Sequence, residues 1–351
     1  MTAAGRVVLR RRSMRCPGCR LTAYPADVRV GIDGFLSPQA ERLAGLAAAT
    51  WSFDVAADRL DELAGIRLDD ETIRRHIHRA AARLTAHRDA HPPHAAFEAA
   101  AVGGEVEFLT DGVMAPTRDG WRELKLARLQ VRPRGVAAGP ADWATRDLPN
   151  PTASVAYATT ADCDTFAARW AGWARGLGID PKGPLSVLGD GAAWIWSAAS
   201  ERFPAGQQVL DIFHASQHLA TAAAGLFGEG TARAAAWLDQ ARERLLADGW
   251  PGLLDHIGTT PVEGRTAAGQ AALDATIGYF AKHTARLGYF GRLRSGRSIG
   301  SGAVEGLAKR MGRRLKVAGR GWCVEHVDGM AALIASVGTS EWPGLWARPA
   351  A

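Results

Sequence analysis

An α/β fold with a largely helical periphery is predicted from three observations. First, three short apolar runs end on an aspartate and then enter a turn or a helical pattern. They are Val106-Glu-Phe-Leu-Thr-Asp-Gly112, Leu185-Ser-Val-Leu-Gly-Asp-Gly191 and Val209-Leu-Asp211. A strand, an acid at its carboxyl end and a following helix give that pattern. Open α/β sheets bind ligands at such strand ends. Second, residues 105–218 alternate strand-like and helix-like stretches. Third, residues 37–90 and 219–285 carry helical spacing with no strand pattern.

Length and composition bound the answer. A chain of 351 residues buries a sizeable core and usually forms two or three domains. With 47% apolar and 22% charged residues it reads as a soluble globular protein. No apolar run reaches the roughly 18 residues that span a bilayer, so no membrane partner is expected. Met-Thr-Ala-Ala-Gly5 followed by arginine lacks a signal-peptide core, so a cytoplasmic location is expected. Four cysteines are too few for a disulfide scaffold. The net charge of +6 is concentrated rather than spread: residues 286–320 hold ten Arg and Lys against one acid, Glu305. That asymmetry points to an anionic partner.

Taken in order, residues 1–30 form a basic segment around Cys16-Pro-Gly-Cys19, which is half of a zinc ribbon. A structural zinc takes four ligands, and no other Cys or His lies nearby, so Cys16 and Cys19 predict at most a weak, exchangeable site. Residues 31–95 read as helices. Ser37-Pro38 supplies a cap and a first-turn proline, Ala64-Gly-Ile66 a turn, and Asp69-Asp-Glu71 the start of a helix bearing Arg74 and Arg75. This is a helix-turn-helix-like DNA-binding pattern, or an ordinary helical hairpin with a solvated basic face. His91-Pro-Pro-His94 reads as a linker.

Residues 105–218 form the first part of an α/β core. Val106–Leu109 and Trp121–Val131 flank a hairpin turn at residues 116–120, Ser154–Ala158 is a third strand, and Leu185–Leu188 and Val209–Phe213 are two more. Three antiparallel strands, a helix and two helix-linked strands is the order of the ribonuclease-H-like fold, an analogy of architecture only. Residues 219–290 read as an all-helical insert. Residues 291–340 complete the core with Glu305, a basic helix through Lys309, Arg310, Arg313, Arg314 and Lys316, then Arg320 and a last helix over about 325–336.

Asp111, Asp190 and Glu305 would converge in such a core. Three carboxylates on rigid supports suit two Mg²⁺ or Mn²⁺ ions, which serve phosphoryl transfer. Asp-Gly is also a common turn dipeptide, so each aspartate alone reads as a turn former. Gly300-Ser-Gly-Ala-Val-Glu-Gly306 lacks the Gly-Lys-Ser/Thr of a phosphate loop. Ser301 with His214 lacks the strand–elbow–helix setting of a hydrolase. His214 and His218 read as orienting or structural groups rather than metal ligands.

The chain resembles bacterial insertion-sequence transposases of the DDE class, of the ISKra-like and ISLre-like kind, and more distantly Mutator-like transposases. Thr110-Asp-Gly-Val-Met-Ala-Pro-Thr-Arg118, Trp121-Arg-Glu-Leu-Lys125 and Gly189-Asp-Gly-Ala-Ala-Trp194 carry the resemblance. So do Val209-Leu-Asp-Ile-Phe-His-Ala-Ser-Gln-His218 and Ile299-Gly-Ser-Gly-Ala-Val-Glu305, with Arg314-Leu-Lys316 and Trp322 after them. It runs from about residue 6 to residue 335. The resemblance implies that Asp111, Asp190 and Glu305 are a metal-binding triad and that Asp211 and His214 match the family's (Cys/Asp)-x-x-His motif. It implies DNA as partner, a homo-oligomer on DNA and a nucleoid-associated protein. Two features depart from the family: Ala318-Gly-Arg-Gly-Trp322 is looser than its usual Gly-Met-Arg-Trp, and the family's paired Cys-x-x-Cys upstream is absent, which suggests an N-terminally shortened copy. The function expected is Mg²⁺-dependent DNA cleavage and strand transfer; the alternatives are an inactive transposon-derived DNA-binding protein and a nuclease without strand transfer.

Overall fold

A computed structural model describes residues 7–8, 10–30, 32, 36–90, 97, 103–261, 266–317 and 321–346. Arg320 and the His91–His94 linker lie outside the described residues. At the N-terminal end β1 (Met14–Arg15) and β2 (Thr22–Ala23) pair as a small antiparallel hairpin, followed by α1 (Pro25–Arg29). Three helices come next: α2 (Pro38–Thr50), α3 (Phe53–Ala64) and α4 (Asp70–Asp89). Their ends follow the sequence signals. Ser37 accepts from the Ala40 N–H with Pro38 in the first turn. Gly65 closes α3 at φ 61°, a left-handed conformation that a Cβ disfavours, and Asp69 caps α4 by accepting from the Thr72 N–H at 2.7 Å. The three helices pack on one another, and α4 buries Ile73, Ile77, Ala80 and Leu84.

The sheet has five strands in the order β5-β4-β3-β6-β7. The strands are β3 (Glu105–Thr117), β4 (Gly120–Arg132), β5 (Ala153–Thr159), β6 (Ser186–Gly189) and β7 (Gln207–Leu210). β3, β4 and β5 pair antiparallel, whereas β6 runs parallel to β3 and β7 parallel to β6. The parallel strands need crossovers. These are α5 (Cys163–Ala168) and α6 (Trp170–Gly176) before β6, and α7 (Ala193–Arg202) before β7. A buried aromatic group joins them to the sheet: Phe108 of β3 meets Trp170 at 4.5 Å and Phe203 at 5.1 Å between ring centroids.

One strand is longer than its apolar run suggests. β3 continues past Asp111 to Thr117 because β4 keeps pairing with it, Asp111 facing Leu126 and Thr117 facing Gly120. Asp111 therefore lies inside a strand, not at its end. What ends near it is the parallel neighbour, since β6 stops at Gly189.

After β7 the chain is helical, as expected, but from Ile212 rather than residue 219. The helices are α8 (Ile212–Phe227), α9 (Ala232–Gly258) and α10 (Ala267–Ala281), with α9 and α10 both packed on α8. Gly249, at φ 63° and ψ −141°, breaks the course of α9 just before Pro251. Then come α11 (Tyr289–Arg294), α12 (Gly302–Leu315) and α13 (Val324–Ser336). α12 lies on β3 and β4, and α13 bridges β5 and α4. Among the described residues no helix is long and apolar enough to cross a membrane.

Candidate active site

Register brings the three aspartates to one level. Leu109 of β3 is the partner of Leu188 in β6, so two residues further along Asp111 stands level with Asp190. Gly189 of β6 is the partner of Leu210 in β7, so one residue further Asp190 stands level with Asp211. Level residues on neighbouring parallel strands share a face and sit about 4.8 Å apart across the sheet. Two acids that follow the ends of β6 and β7 thus stand in a row with Asp111 inside β3.

Each acid has a different local role. Asp111 accepts from the Gly112 N–H at 2.7 Å. Asp190 accepts from the Ala192 N–H at 2.9 Å, and its backbone carbonyl accepts from the Tyr279 hydroxyl at 2.8 Å. Gly191 makes this approach possible: its φ is 103°, and a Cβ there would stand 2.7 Å from the Tyr279 hydroxyl oxygen. Asp211 is only 1% exposed and is fully engaged. Its Oδ1 accepts from the Phe213 N–H at 2.7 Å, while Oδ2 accepts from the Ser301 hydroxyl and from the Ser301 N–H at 3.2 Å.

That last contact explains why two separate motifs occur together. The Ile212 N–H donates to the Ile299 carbonyl, Gly300 lies where a Cβ would meet the Phe213 ring at 2.8 Å, and Ser301 locks onto Asp211. The start of α12 is thereby pinned to the end of β7, and Glu305 follows in its first turn. The Ser301 hydroxyl points to Asp211 and not to His214, so no Ser–His pair forms. His214 Nδ1 lies 3.6 Å from Asp211 Oδ2, beyond hydrogen-bond length. Interaction with Asp211 still raises the imidazole above its ordinary value against the opposing effect of burial, and Asp190 and Asp111 push the same way.

No protein-family model and no curated protein matches this sequence.

The Asp111 carboxyl is raised to about 6: burial is the main cause, Asp190 and Asp211 add to it, and the Gly112 N–H and His214 oppose it. Glu305 is turned elsewhere: its carboxylate pairs with Lys309 Nζ at 2.8 Å, one helical turn along. Among the described residues no group of three or more His, Cys, Asp and Glu side chains is arranged to hold a metal ion. The structure thus brings Asp111, Asp190, Asp211 and His214 together, with Glu305 nearby on α12 but engaged by its own helix.

The raised Asp111 value predicts a pH-dependent cost. An ordinary aspartate ionises near 3.9, so below about pH 4 the group is protonated folded or unfolded and costs nothing. The cost grows from about pH 4 to pH 6 and is fully present above. Asp111→Asn should therefore raise the melting temperature by about 2–4 °C at pH 7.5 and leave it unchanged at pH 4. An equal shift at both pH values would show that packing, not charge, sets the effect.

The predicted basic positions divide by environment. Arg313 on α12 and Lys316 at its C-cap are exposed and Lys309 is exposed beside Glu305, whereas Arg310 is half-buried and donates to the Val337 carbonyl at 2.9 Å. Arg314 turns inward and is 4% exposed. Arg74 forms a two-point contact with Glu71 at 2.7 and 2.8 Å, and Arg75 lies 3.7 Å from the same carboxylate. Cys16 and Cys19 are exposed at the turn joining β1 to β2. The Cys19 N–H holds the Cys16 thiol below its ordinary value, with the Cys19 side chain and the Gly18 N–H acting alike.

Proposed function

We propose that this protein is a metal-dependent polynucleotidyl transferase, a DDE-type transposase that hydrolyses DNA phosphodiesters and joins the freed 3′-hydroxyl to target DNA. The observation that carries the reading is the level row of acids formed by Asp111 inside β3 and by Asp190 and Asp211 just past the ends of β6 and β7. The strand order, with a long antiparallel hairpin beside two parallel strands, is the order expected of a ribonuclease-H-like core and supports the same reading. The donor set suits hard divalent cations. Asp111 is pushed up by burial and by neighbouring carboxylates, a condition that a bound cation relieves. When bound, Mg²⁺ or Mn²⁺ supplies activation of the attacking oxygen and stabilisation of the leaving one.

The chain's own residues then have separable tasks. Asp111 and Asp190 would hold the cations. Asp211 is saturated by Phe213 and Ser301 and acts as a clamp between β7 and α12. Glu305, now paired with Lys309, would be the third carboxylate to hold them. His214, beside Asp211 at 3.6 Å, orients the edge facing the phosphate. Arg313 on α12 and Lys316 at its C-terminal end contact backbone phosphates, and the α3–α4 pair is a helix-turn-helix-like element for duplex DNA. Replacing both Arg313 and Lys316 with alanine should weaken binding to unrelated duplexes alike and lower the salt slope by about 0.9 per lost contact. An unchanged slope would remove this face from the DNA path.

The decisive assay is nicking of supercoiled plasmid in Mg²⁺ or Mn²⁺, followed by joining of an oligonucleotide 3′ end to plasmid. Nicking and joining together support the transposase reading. Nicking alone leaves a nuclease, and binding without nicking leaves a DNA-binding protein.

A further inference from the structure

A cleft of about 780 Å³ opens beside Asp190, between α7 and the end of α10. Its walls join the acid edge to the helical insert: Gly191 and Tyr279 belong to both. Aromatic rings line it. His218 stacks on Tyr279 with centroids 3.6 Å apart and planes 20° apart, and Tyr279 meets His283 edge-on at 4.9 Å. Trp196 closes the other side, with the Arg286 guanidinium 4.6 Å above its ring.

The charge of the cleft is one-sided. Lys282 and Arg286 are on its wall, and among the described residues no acid lines it. Arg286 is fixed by the Gln208 side-chain oxygen at 2.8 Å and the Lys282 carbonyl at 3.1 Å, while Lys282 is exposed. His283 and His218 are kept below the usual imidazole range, chiefly by burial, so the rings are neutral at pH 7. Neutral rings beside two cations match a nucleotide, whose base stacks and whose phosphate is anionic. The volume exceeds what one nucleotide fills, so a base with its flanking phosphates fits.

We propose that this cleft holds an unstacked nucleotide of the DNA strand that runs to the acid edge. The His218–Tyr279 stack forms the shelf for the base, and Lys282 and Arg286 flank the adjoining phosphate. The proposal rests on the polynucleotide reading of the carboxylates but is read by binding, not by cleavage. A nucleotide seated here lies one residue from Asp190, so the insert places the strand relative to the reacting phosphate.

The test is fluorescence anisotropy in metal-free buffer, using a single strand of about 12 thymidines and an abasic phosphodiester of equal length and charge. Wild-type protein should favour the base-bearing strand by about 10-fold, on the scale of one stacked base. His218→Ala and Tyr279→Leu should erase that preference, and Tyr279→Phe, which keeps the ring, should retain it. Lys282→Ala should weaken both strands equally. Equal affinity of wild-type protein for the two strands, or a preference that survives His218→Ala, overturns the proposal. Should those variants fail to fold, photocrosslinking of wild-type protein with a 4-thiothymidine strand decides. Adducts within residues 193–200 or 275–286 support the cleft, and adducts confined elsewhere overturn it. A protein that nicks no plasmid yet keeps the base preference removes the transposase reading and leaves the cleft. Normal nicking without the preference does the reverse.

Discussion

Asp190→Asn protein is expected to nick supercoiled plasmid on the order of 10³-fold more slowly than wild type, while binding duplex DNA with near-normal affinity. The substitution keeps the shape and the acceptor that meets the Ala192 N–H, so the fold has no reason to change. What it removes is one negative oxygen where cations are to sit, and several kcal/mol of transition-state stabilisation go with it, about 1.4 kcal/mol for each tenfold in rate. Glu305→Gln should lose activity to a similar extent, since its carboxylate needs only to leave Lys309. Asp211→Asn should behave differently. Its oxygens are buried and taken by Phe213 and Ser301, so the amide must present a donor to one of the existing donors. The expected result is a lower melting temperature, with activity lost through misplacement of α12. Should Asp211→Asn keep its stability and lose only cleavage, Asp211 rather than Glu305 is the third ligand.

The acid row was legible because parallel-strand register follows from local signals. Each apolar run leads to an acid, and the acids come level once the strands pair. The helix caps at Ser37 and Asp69 and the turn at Gly65 were legible for a similar reason, since capping is decided within a few residues. Other features depend on partners distant in sequence. That Asp111 lies inside a strand is set by β4, whose pairing with β3 outlasts that of β6. The His218–Tyr279 stack joins residues on α8 and α10 that no periodicity links, and Tyr279 was not singled out as a site residue. The engagement of Asp211 by Ser301 joins two motifs that the sequence shows only as separate strings.

Arg314 is the instructive exception, because the signal for its role was present. The buried positions of α12 are Val304, Leu307, Met311, Arg314 and Leu315, a stripe at helical spacing on which Arg314 takes an apolar place. A count of basic residues sees only the charge. In the structure its Nε donates to the Ala48 carbonyl at 2.6 Å, and its guanidinium lies 5.0 Å from the Phe53 ring and 5.1 Å from the Trp322 ring. Trp322 in turn bridges to Thr117 at the end of β3, so one side chain links α2, α3 and the sheet. Arg314→Ala should therefore cost about 2–4 kcal/mol of stability, from an unmet buried carbonyl, lost stacking and a cavity. Arg314→Lys should recover little, because an ammonium cannot reproduce the planar guanidinium between two rings. Arg313→Ala, one residue away and exposed, should stay within about 0.5 kcal/mol of wild type and show its effect on DNA affinity instead. Chemical denaturation and salt-dependent binding of both variants separate the two roles. An Arg314→Ala protein with wild-type stability and a reduced salt slope would return that residue to the DNA face.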